Sequence, residues 1–160
     1  MDILKMLEDE HLIKQVYTRY CDVIDTKTFD QLSDVFTEDC IGDYRDTNGQ
    51  IREGLAPLVS GLYVTMGPDS CCGATHHNVL NFRIQSDGSD HATAQVHFYA
   101  VHRGVRAMEG ELFTCWGEYD DELTRTDQGW RVSRRKYTNF VVDGNKGVIR
   151  NGNDTTPGRL

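Results

Sequence analysis

The sequence predicts an α+β fold in which N-terminal helices pack on one face of a strongly curved, mostly antiparallel sheet. Up to residue 63, apolar residues recur every three or four positions, which is the period of amphipathic helices. Residues 79–142 are instead rich in Val, Thr, Phe, Tyr and Trp. Helices followed by hairpin-connected strands are typical of α+β proteins. Because 160 residues suffice for a single core, we predict one domain over residues 1–142.

Three helices are predicted in the first half of the chain. In the first of them, Leu12, Val16 and Tyr20 repeat at the spacing of one helical face. The same spacing recurs twice, so the predicted helices cover residues 8–24, 29–37 and 53–63. A short strand, Cys40–Tyr44, lies between the second and third helices. It leads into the turn-forming segment Thr47–Gly49, which indicates a hairpin.

Four longer strands are predicted in the second half. Turn segments separate stretches of β-branched and aromatic residues, which gives strands at 79–85, 91–102, 111–125 and 130–142. A concave sheet covered by helices leaves a cavity. Residues 143–160 have no periodicity, and we predict a tail that is mobile or contacts a neighbouring subunit.

Charge and hydropathy exclude several classes of partner. Seventeen Lys+Arg against 25 Asp+Glu give a net charge of −8, which repels nucleic acids and anionic lipids. The longest uncharged stretch, Gly54–Pro68, contains Pro and Gly and is shorter than the ~20 apolar residues that span a bilayer. The N-terminus turns acidic where a signal peptide would need its apolar core. We therefore expect a cytoplasmic protein without nucleic-acid or membrane partners.

The cysteines and histidines do not predict a metal centre. The five cysteines form no C-x-x-C pair, so we expect reduced thiols, with Cys71 and Cys72 as bystanders. His76 and His77 are adjacent, and adjacent side chains on an extended chain point to opposite faces. We predict that His77 enters the cavity and that His76 is structural or exposed.

Asp25, Tyr44, His77 and His102 form a candidate acid–base set, because the predicted elements point them inward. A neutral imidazole accepts protons near neutral pH, and a carboxylate bonded to its other nitrogen orients it. A tyrosine hydroxyl can polarise a carbonyl group. The alternatives are a helix-terminal turn residue for Asp25, a loop histidine for His77 and an ordinary strand aromatic for Tyr44.

Several segments resemble SnoaL-like domains of the nuclear-transport-factor-2-like superfamily. They occur in the family's order from residue 5 to about residue 140: Ile24–Leu32, Val35–Asp39, Thr75–Asn81, His91–Val96 and Asp127–Arg135. The resemblance implies a cone-shaped α+β barrel, also described as a cystatin-like roll.

Within that superfamily, the pattern is most similar to the branch typified by scytalone dehydratase, bile-acid 7α-dehydratase and lindane dehydrochlorinase. The resemblance implies an enzyme without metal or cofactor, in which a histidine backed by an aspartate abstracts an acidic C–H proton. Asp25 resembles the family aspartate and Tyr44 a pocket tyrosine. Both Asp25–His77 and Asp25–His102 pairs have counterparts in the branch, and we favour His77.

Four further residues are candidates for binding the substrate. Tyr20 resembles the pocket tyrosine of the bile-acid enzyme, whereas Trp116, Tyr119 and Arg135 lie on strands that could line the cavity or pack elsewhere. Ile24 replaces the tyrosine that precedes the aspartate in scytalone dehydratase, so that substrate is not implied. We expect a small hydrophobic or aromatic compound, cyclic or polycyclic.

Three functions remain open from the sequence. The first is a cofactor-independent dehydratase-like lyase or isomerase, and the second is a polyketide-cyclase-like enzyme. The third is a non-catalytic ligand-binding or assembly module, such as the β-type subunit of a ring-hydroxylating oxygenase. The outer face of the sheet needs cover, which predicts a homo-oligomer; the resemblance favours a trimer, with a dimer as the alternative.

Overall fold

A computed structural model of the protein describes residues 3–150. Its sheet has six strands: β1 (Phe36–Tyr44), β2 (Gln50–Glu53), β3 (Cys72–Ser86), β4 (His91–Gly104), β5 (Leu112–Thr126) and β6 (Gly129–Gly144). Its α-helices are α1 (Ile3–Thr26), α2 (Arg45–Asn48) and α3 (Leu55–Met66). Short 3₁₀ helices occupy Phe29–Asp34, Arg106–Met108 and Lys146–Ile149.

The strands form one curved, open sheet in the order β2-β1-β6-β5-β4-β3. Strands β1 and β6 pair in parallel, and every other neighbouring pair is antiparallel. Helix α1 packs on the sheet through a buried face that includes Ile13, Tyr17, Tyr20 and Ile24. The predicted α+β class with helices on a mostly antiparallel sheet is confirmed, although the sheet does not close into a barrel.

The second predicted helix, 29–37, is wrong in type and in its end. Phe29 and Leu32 are buried three residues apart, which suits the tighter 3₁₀ helix. Val35 ends it, because its carbonyl accepts a hydrogen bond from the Val132 N–H at 2.8 Å, and strand β1 begins at Phe36. The sequence pattern could not distinguish this spacing from α-helical periodicity.

The other two predicted helices, α1 and α3, differ from the predictions only at their ends, whereas the short helix α2 was not predicted. Helix α1 extends the predicted 8–24 by five residues toward the N-terminus, to Ile3, and by two toward the C-terminus, to Thr26. Helix α3 starts at Leu55 rather than at residue 53, because Gly54 adopts φ 93° between strand β2 and the helix. No helix among residues 3–150 is long and apolar enough to cross a membrane.

Two strands begin well before their predicted starts, and one of them changes the position of a site residue. Strand β1 begins at Phe36 instead of Cys40, because it pairs with β6 as well as with β2. Strand β3 begins at Cys72, seven residues before the predicted start at residue 79, because Thr75 already pairs with His102 of β4. His77 therefore lies within a strand, where the sequence placed it just before one.

The end of the chain continues the fold beyond the predicted boundary at residue 142. Strand β6 reaches Gly144, and the 3₁₀ helix that follows buries Val148 in the core. Residues 151–160 of the predicted tail lie outside the described residues. Contact of that tail with a neighbouring subunit stays a prediction.

Candidate active site

A cavity of about 490 Å³ lies between the helices and the inner face of the sheet. One side of its wall is aromatic and is formed by Tyr20, Tyr44, Phe98, Phe113, Tyr119 and Tyr137. His77 and His102 also line it. Such a cavity, apolar with a few convergent polar groups, is typical of a small-molecule binding site.

Asp25 and His77 form a hydrogen-bonded pair at this cavity. Helix α1 ends at Thr26, so that Asp25 lies in its last turn beside strand β3. The Nδ1 atom of His77 lies 2.7 Å from Oδ1 of Asp25, and the backbone N–H of His77 donates to Oδ2 at 2.9 Å. The Thr75 hydroxyl donates to Oδ1 at 2.8 Å. Three hydrogen bonds from one strand segment to one carboxylate therefore fix the imidazole beside Asp25.

The electrostatics of this pair determine which imidazole nitrogen is basic. Burial has the largest single effect and would raise the pKa of Asp25, but the hydrogen bonds from His77 and Thr75 outweigh it and lower the pKa. An ionised carboxylate only accepts hydrogen bonds, so Nδ1 of His77 must donate its proton to Asp25. The lone pair then lies on Nε2.

His76 points away from the pair and is exposed, as the alternation of a strand requires. Its neighbours Thr75 and His77 share the face that contacts Asp25. Thr75 was not predicted as a site residue, although its position two residues before His77 places it on the same face of the strand.

His102 lies beside His77 but has a different partner. The two rings are 5.3 Å apart and nearly perpendicular. Nδ1 of His102 lies 3.2 Å from the carbonyl oxygen of Phe113, which can only accept, so Nδ1 carries the proton. Burial and the neighbouring His77 lower the pKa of His102 to about 4. Of the two pairings that the sequence left open, the structure shows Asp25 with His77, and His102 is a neutral neighbour.

Three of the predicted tyrosines, Tyr20, Tyr44 and Tyr119, line the cavity. The Tyr20 ring lies 5.6 Å from Tyr119 and 6.4 Å from His77, both edge-on. Burial raises the pKa of all three phenols, so they keep their protons and remain hydrogen-bond donors.

The two remaining predicted substrate-binding residues do not line the cavity. Trp116 lies on the outer face of the sheet, 37% exposed and stacked on Tyr99, because Cys115 and Gly117 occupy the inward positions of β5. Arg135 points inward but is fully buried behind the cavity wall in an ion pair with Asp121, at 2.7 Å. Neither Trp116 on the outer face nor Arg135 behind the wall can touch a ligand in the cavity directly.

The buried ion pair was not predicted from the sequence. The guanidinium contacts Asp121 through Nε and Nη2, and the Tyr17 hydroxyl donates to the same carboxylate at 2.7 Å. Burial would lower the pKa of Arg135, but Asp121 outweighs it and keeps the guanidinium charged. Asp121 alternates with Tyr119 and Leu123 on the inward face of β5, which is the signal that could have revealed it.

No group of three or more His, Cys, Asp or Glu side chains within residues 3–150 is arranged to hold a metal ion. The five cysteines, at positions 21, 40, 71, 72 and 115, are all buried as free thiols. Cys115 is the one among these that lines the cavity, and burial raises the pKa of its thiol. Such a thiol is a poor nucleophile.

Several proteins are similar to this chain in sequence or fold. The uncharacterised protein Rv2910c of Mycobacterium tuberculosis is 30% identical over 139 residues, which cover 82% of this chain and 86% of Rv2910c. The crystal structure of the Kfla4162 protein from Kribbella flavida superposes with a TM-score of 0.81 at 27% identity, covering 90% of this chain and 98% of that one.

Two further solved structures carry functional names. A candidate scytalone dehydratase from Novosphingobium aromaticivorans has a TM-score of 0.75 at 19% identity, covering 97% of this chain and 98% of that one. The hexachlorocyclohexane dehydrochlorinase LinA-type3 from Novosphingobium barchaimii has a TM-score of 0.74 at 14% identity, covering 89% and 94%. At such identities these two structures show a shared fold.

The SnoaL-like domain family matches residues 5–136, which include Asp25 at the end of α1, His77 on β3 and His102 on β4. Together with the fold, this match shows that the chain belongs to the family of SnoaL-like domains in the nuclear-transport-factor-2-like superfamily.

Proposed function

We propose that this protein is a cofactor-independent lyase of the dehydratase type, acting on a small cyclic, hydrophobic or aromatic substrate. The observation that carries the proposal is the contact of 2.7 Å between His77 Nδ1 and Asp25 Oδ1 at the wall of an aromatic cavity. Dehydratase and dehydrochlorinase names among proteins of the same fold support the reaction class.

In the proposed reaction, Nε2 of His77 removes a proton from a carbon next to an electron-withdrawing group. The electron pair left on that carbon forms a carbon–carbon double bond. A hydroxyl on the neighbouring carbon leaves as water with the proton that His77 returns to it, whereas a halide leaves as the anion and His77 releases its proton to solvent. Asp25 stabilises the imidazolium that forms, because it accepts the Nδ1–H. Tyr44 orients a substrate oxygen, and His102 has a secondary role as a neutral acceptor.

An isomerase or a polyketide-type cyclase would begin with the same proton abstraction. These reactions differ from elimination in what the carbanion does next, which depends on the substrate. A non-catalytic binding module would use the cavity without the base. The experiment below distinguishes these outcomes.

The experiment offers the protein a panel of small cyclic β-hydroxy ketones in D₂O and follows both loss of water and deuterium uptake by mass spectrometry. His77→Ala and Asp25→Asn should each lower the rate about 10²–10⁴-fold, the usual cost of removing a general base. His76→Ala is the matched control, because His76 is exposed on the other face of the strand.

Equal rates in the wild type and in both site variants would reject the base. Deuterium uptake without elimination would indicate an isomerase or cyclase. Binding of the panel compounds with neither deuterium uptake nor elimination would make the protein a binding module.

We also propose a homo-oligomer, a trimer rather than a dimer, formed through the outer face of the sheet. Trp116 pairs there with Val141, and Leu80 and Phe140 flank His97 on the same face. These four apolar side chains are 37% to 56% exposed. Light scattering should show an oligomer that Trp116→Glu dissociates; a wild-type monomer at micromolar concentration would contradict the proposal. Cytoplasmic location stays a prediction.

A further inference from the structure

A buried cation lies directly behind the aromatic wall of the cavity. Cζ of Arg135 lies 3.9 Å from the ring centre of Tyr119 and 4.4 Å from that of Tyr20. Both tyrosines line the cavity, whereas Arg135 is fully buried and does not. The positive charge therefore lies one layer of side chains away from a molecule in the cavity.

One nitrogen of this cation has no partner among residues 3–150. Nε and Nη2 of Arg135 donate to Asp121, whereas Nη1 is buried and makes no hydrogen bond of normal geometry. Buried donors of this kind are nearly always satisfied in proteins. The unused donor therefore needs an explanation, and a cavity residue on the neighbouring strand β1 supplies one.

Tyr44 is the cavity residue that can link Nη1 to a ligand. Gly42 pairs with Arg135 between β1 and β6, and the Tyr44 ring lies over Gly42, so the phenol lies next to Arg135 on this face of the sheet. Burial raises the pKa of the phenol most strongly, while the charge of Arg135 lowers it. A phenol oxygen can accept one hydrogen bond while its own hydroxyl donates another. Tyr44 can thus accept from Nη1 and donate into the cavity, which it lines.

We propose that Arg135 is a positioning residue that acts through Tyr44 and makes this end of the cavity a site for an oxygen that carries or gains negative charge. A hydrogen bond from a cation polarises the phenol O–H and makes it a stronger donor. Arg135 itself does not touch the ligand.

This inference rests on the proposed function and narrows its substrate class. If the acidic C–H lies next to a carbonyl group, the carbonyl oxygen gains negative charge when His77 takes the proton. The donor at Tyr44 then stabilises that enolate. A halogenated hydrocarbon without oxygen would gain nothing from the arrangement.

The test compares two small aromatic probes of similar size, 4-nitrophenolate and neutral 4-nitrotoluene. The wild type should bind the phenolate about 10–100-fold more tightly, the usual gain for hydrogen bonds to a charged group. Tyr44→Phe should lower this ratio about tenfold, whereas Lys146, which also lines the cavity, stays in place. Tyr137→Phe is the matched control, because Tyr137 also lines the cavity but its hydroxyl donates to Asn139 at 2.7 Å; it should keep the ratio.

The contribution of Arg135 is tested by the double variant Arg135→Gln/Asp121→Asn, which removes both buried charges together. If it folds, as circular dichroism will show, the ratio should fall as it does in Tyr44→Phe. Should it not fold, a crystal structure of the wild type with the phenolate decides. Tyr44 Oη should then lie within hydrogen-bond distance of both Nη1 and the phenolate oxygen.

A ratio near one in the wild type, an unchanged ratio in Tyr44→Phe or in the folded double variant, or a phenolate oxygen bound elsewhere would overturn the inference. His77→Ala should keep the ratio, because the oxyanion site does not need the base. If the proposed function is wrong but this inference is right, turnover is absent while the ratio of phenolate to nitrotoluene binding is unchanged.

Discussion

Two of the carboxylate pairs in the protein differ in where they lie relative to the cavity. Asp25 and His77 meet at the cavity, with side chains 23% and 7% exposed. Asp121 and Arg135 meet behind the cavity wall and are both fully buried. The first pair joins a helix end to a strand, whereas the second joins neighbouring strands of the sheet.

The difference in exposure separates a pair that can exchange a proton from one that cannot. His77 has a free nitrogen at the cavity, so it can accept a proton while Asp25 stays ionised. Arg135 keeps its proton at any working pH, and it has no path to the cavity except through the tyrosines. We therefore assign proton transfer to Asp25–His77 and fixed charge to Asp121–Arg135.

The largest expected effect on stability distinguishes the two carboxylates. Asp121→Asn leaves the buried guanidinium uncompensated and should lower the free energy of unfolding by about 3–5 kcal/mol. Asp25→Asn keeps most of its hydrogen-bond geometry at a partly exposed site and should cost about 1 kcal/mol or less. Urea denaturation measures both. Equal losses would contradict the separation of the two pairs.

The next effect concerns the pH dependence of stability and comes from His102. Its pKa of about 4 in the folded protein lies below the ordinary 6.5, so the unfolded chain binds more protons between these values. Stability should therefore fall as pH drops from 6.5 to 4, by about 3 kcal/mol in total. His102→Gln should remove this loss, as urea denaturation at each pH would show. The same slope in both proteins would be evidence against a buried neutral His102.

Asp25 acts with the same sign, because its contribution is also lost as pH falls, but in a lower pH window. Its folded pKa is depressed, so its contribution is present above the ordinary value of 3.8 and is lost as pH falls below it. The two residues can therefore be told apart in one series of measurements.

The smallest expected effect on stability comes from the Thr75 hydroxyl, which donates to the Asp25 carboxylate. Thr75→Val removes one of its three hydrogen bonds and should cost about 1 kcal/mol of stability. Thr75→Ser keeps the hydroxyl and should behave like the wild type. If Thr75→Val and Thr75→Ser are equally stable in urea, the hydroxyl does not support the carboxylate.

The sequence predicted the parts of the site that depend on local pattern. Helical periodicity placed Asp25 at the end of α1, and strand alternation separated His77 from His76. The prediction that Trp116 lines the cavity is wrong, because an aromatic residue on a strand does not show which face it occupies until the register with neighbouring strands is known. The prediction that Arg135 lines the cavity is wrong for a related reason. Its buried partner Asp121 comes to lie beside it only through the pairing of β5 with β6.

The central claim is that Asp25 holds the Nδ1 proton of His77 and leaves Nε2 as the base. Nitrogen-15 NMR of labelled histidines tests it directly, because protonated and unprotonated imidazole nitrogens have well-separated chemical shifts. At neutral pH we expect the proton of His77 on Nδ1 in the wild type. In Asp25→Asn we expect a mixture of the two tautomers. A proton on Nε2 of His77 in the wild type would contradict it.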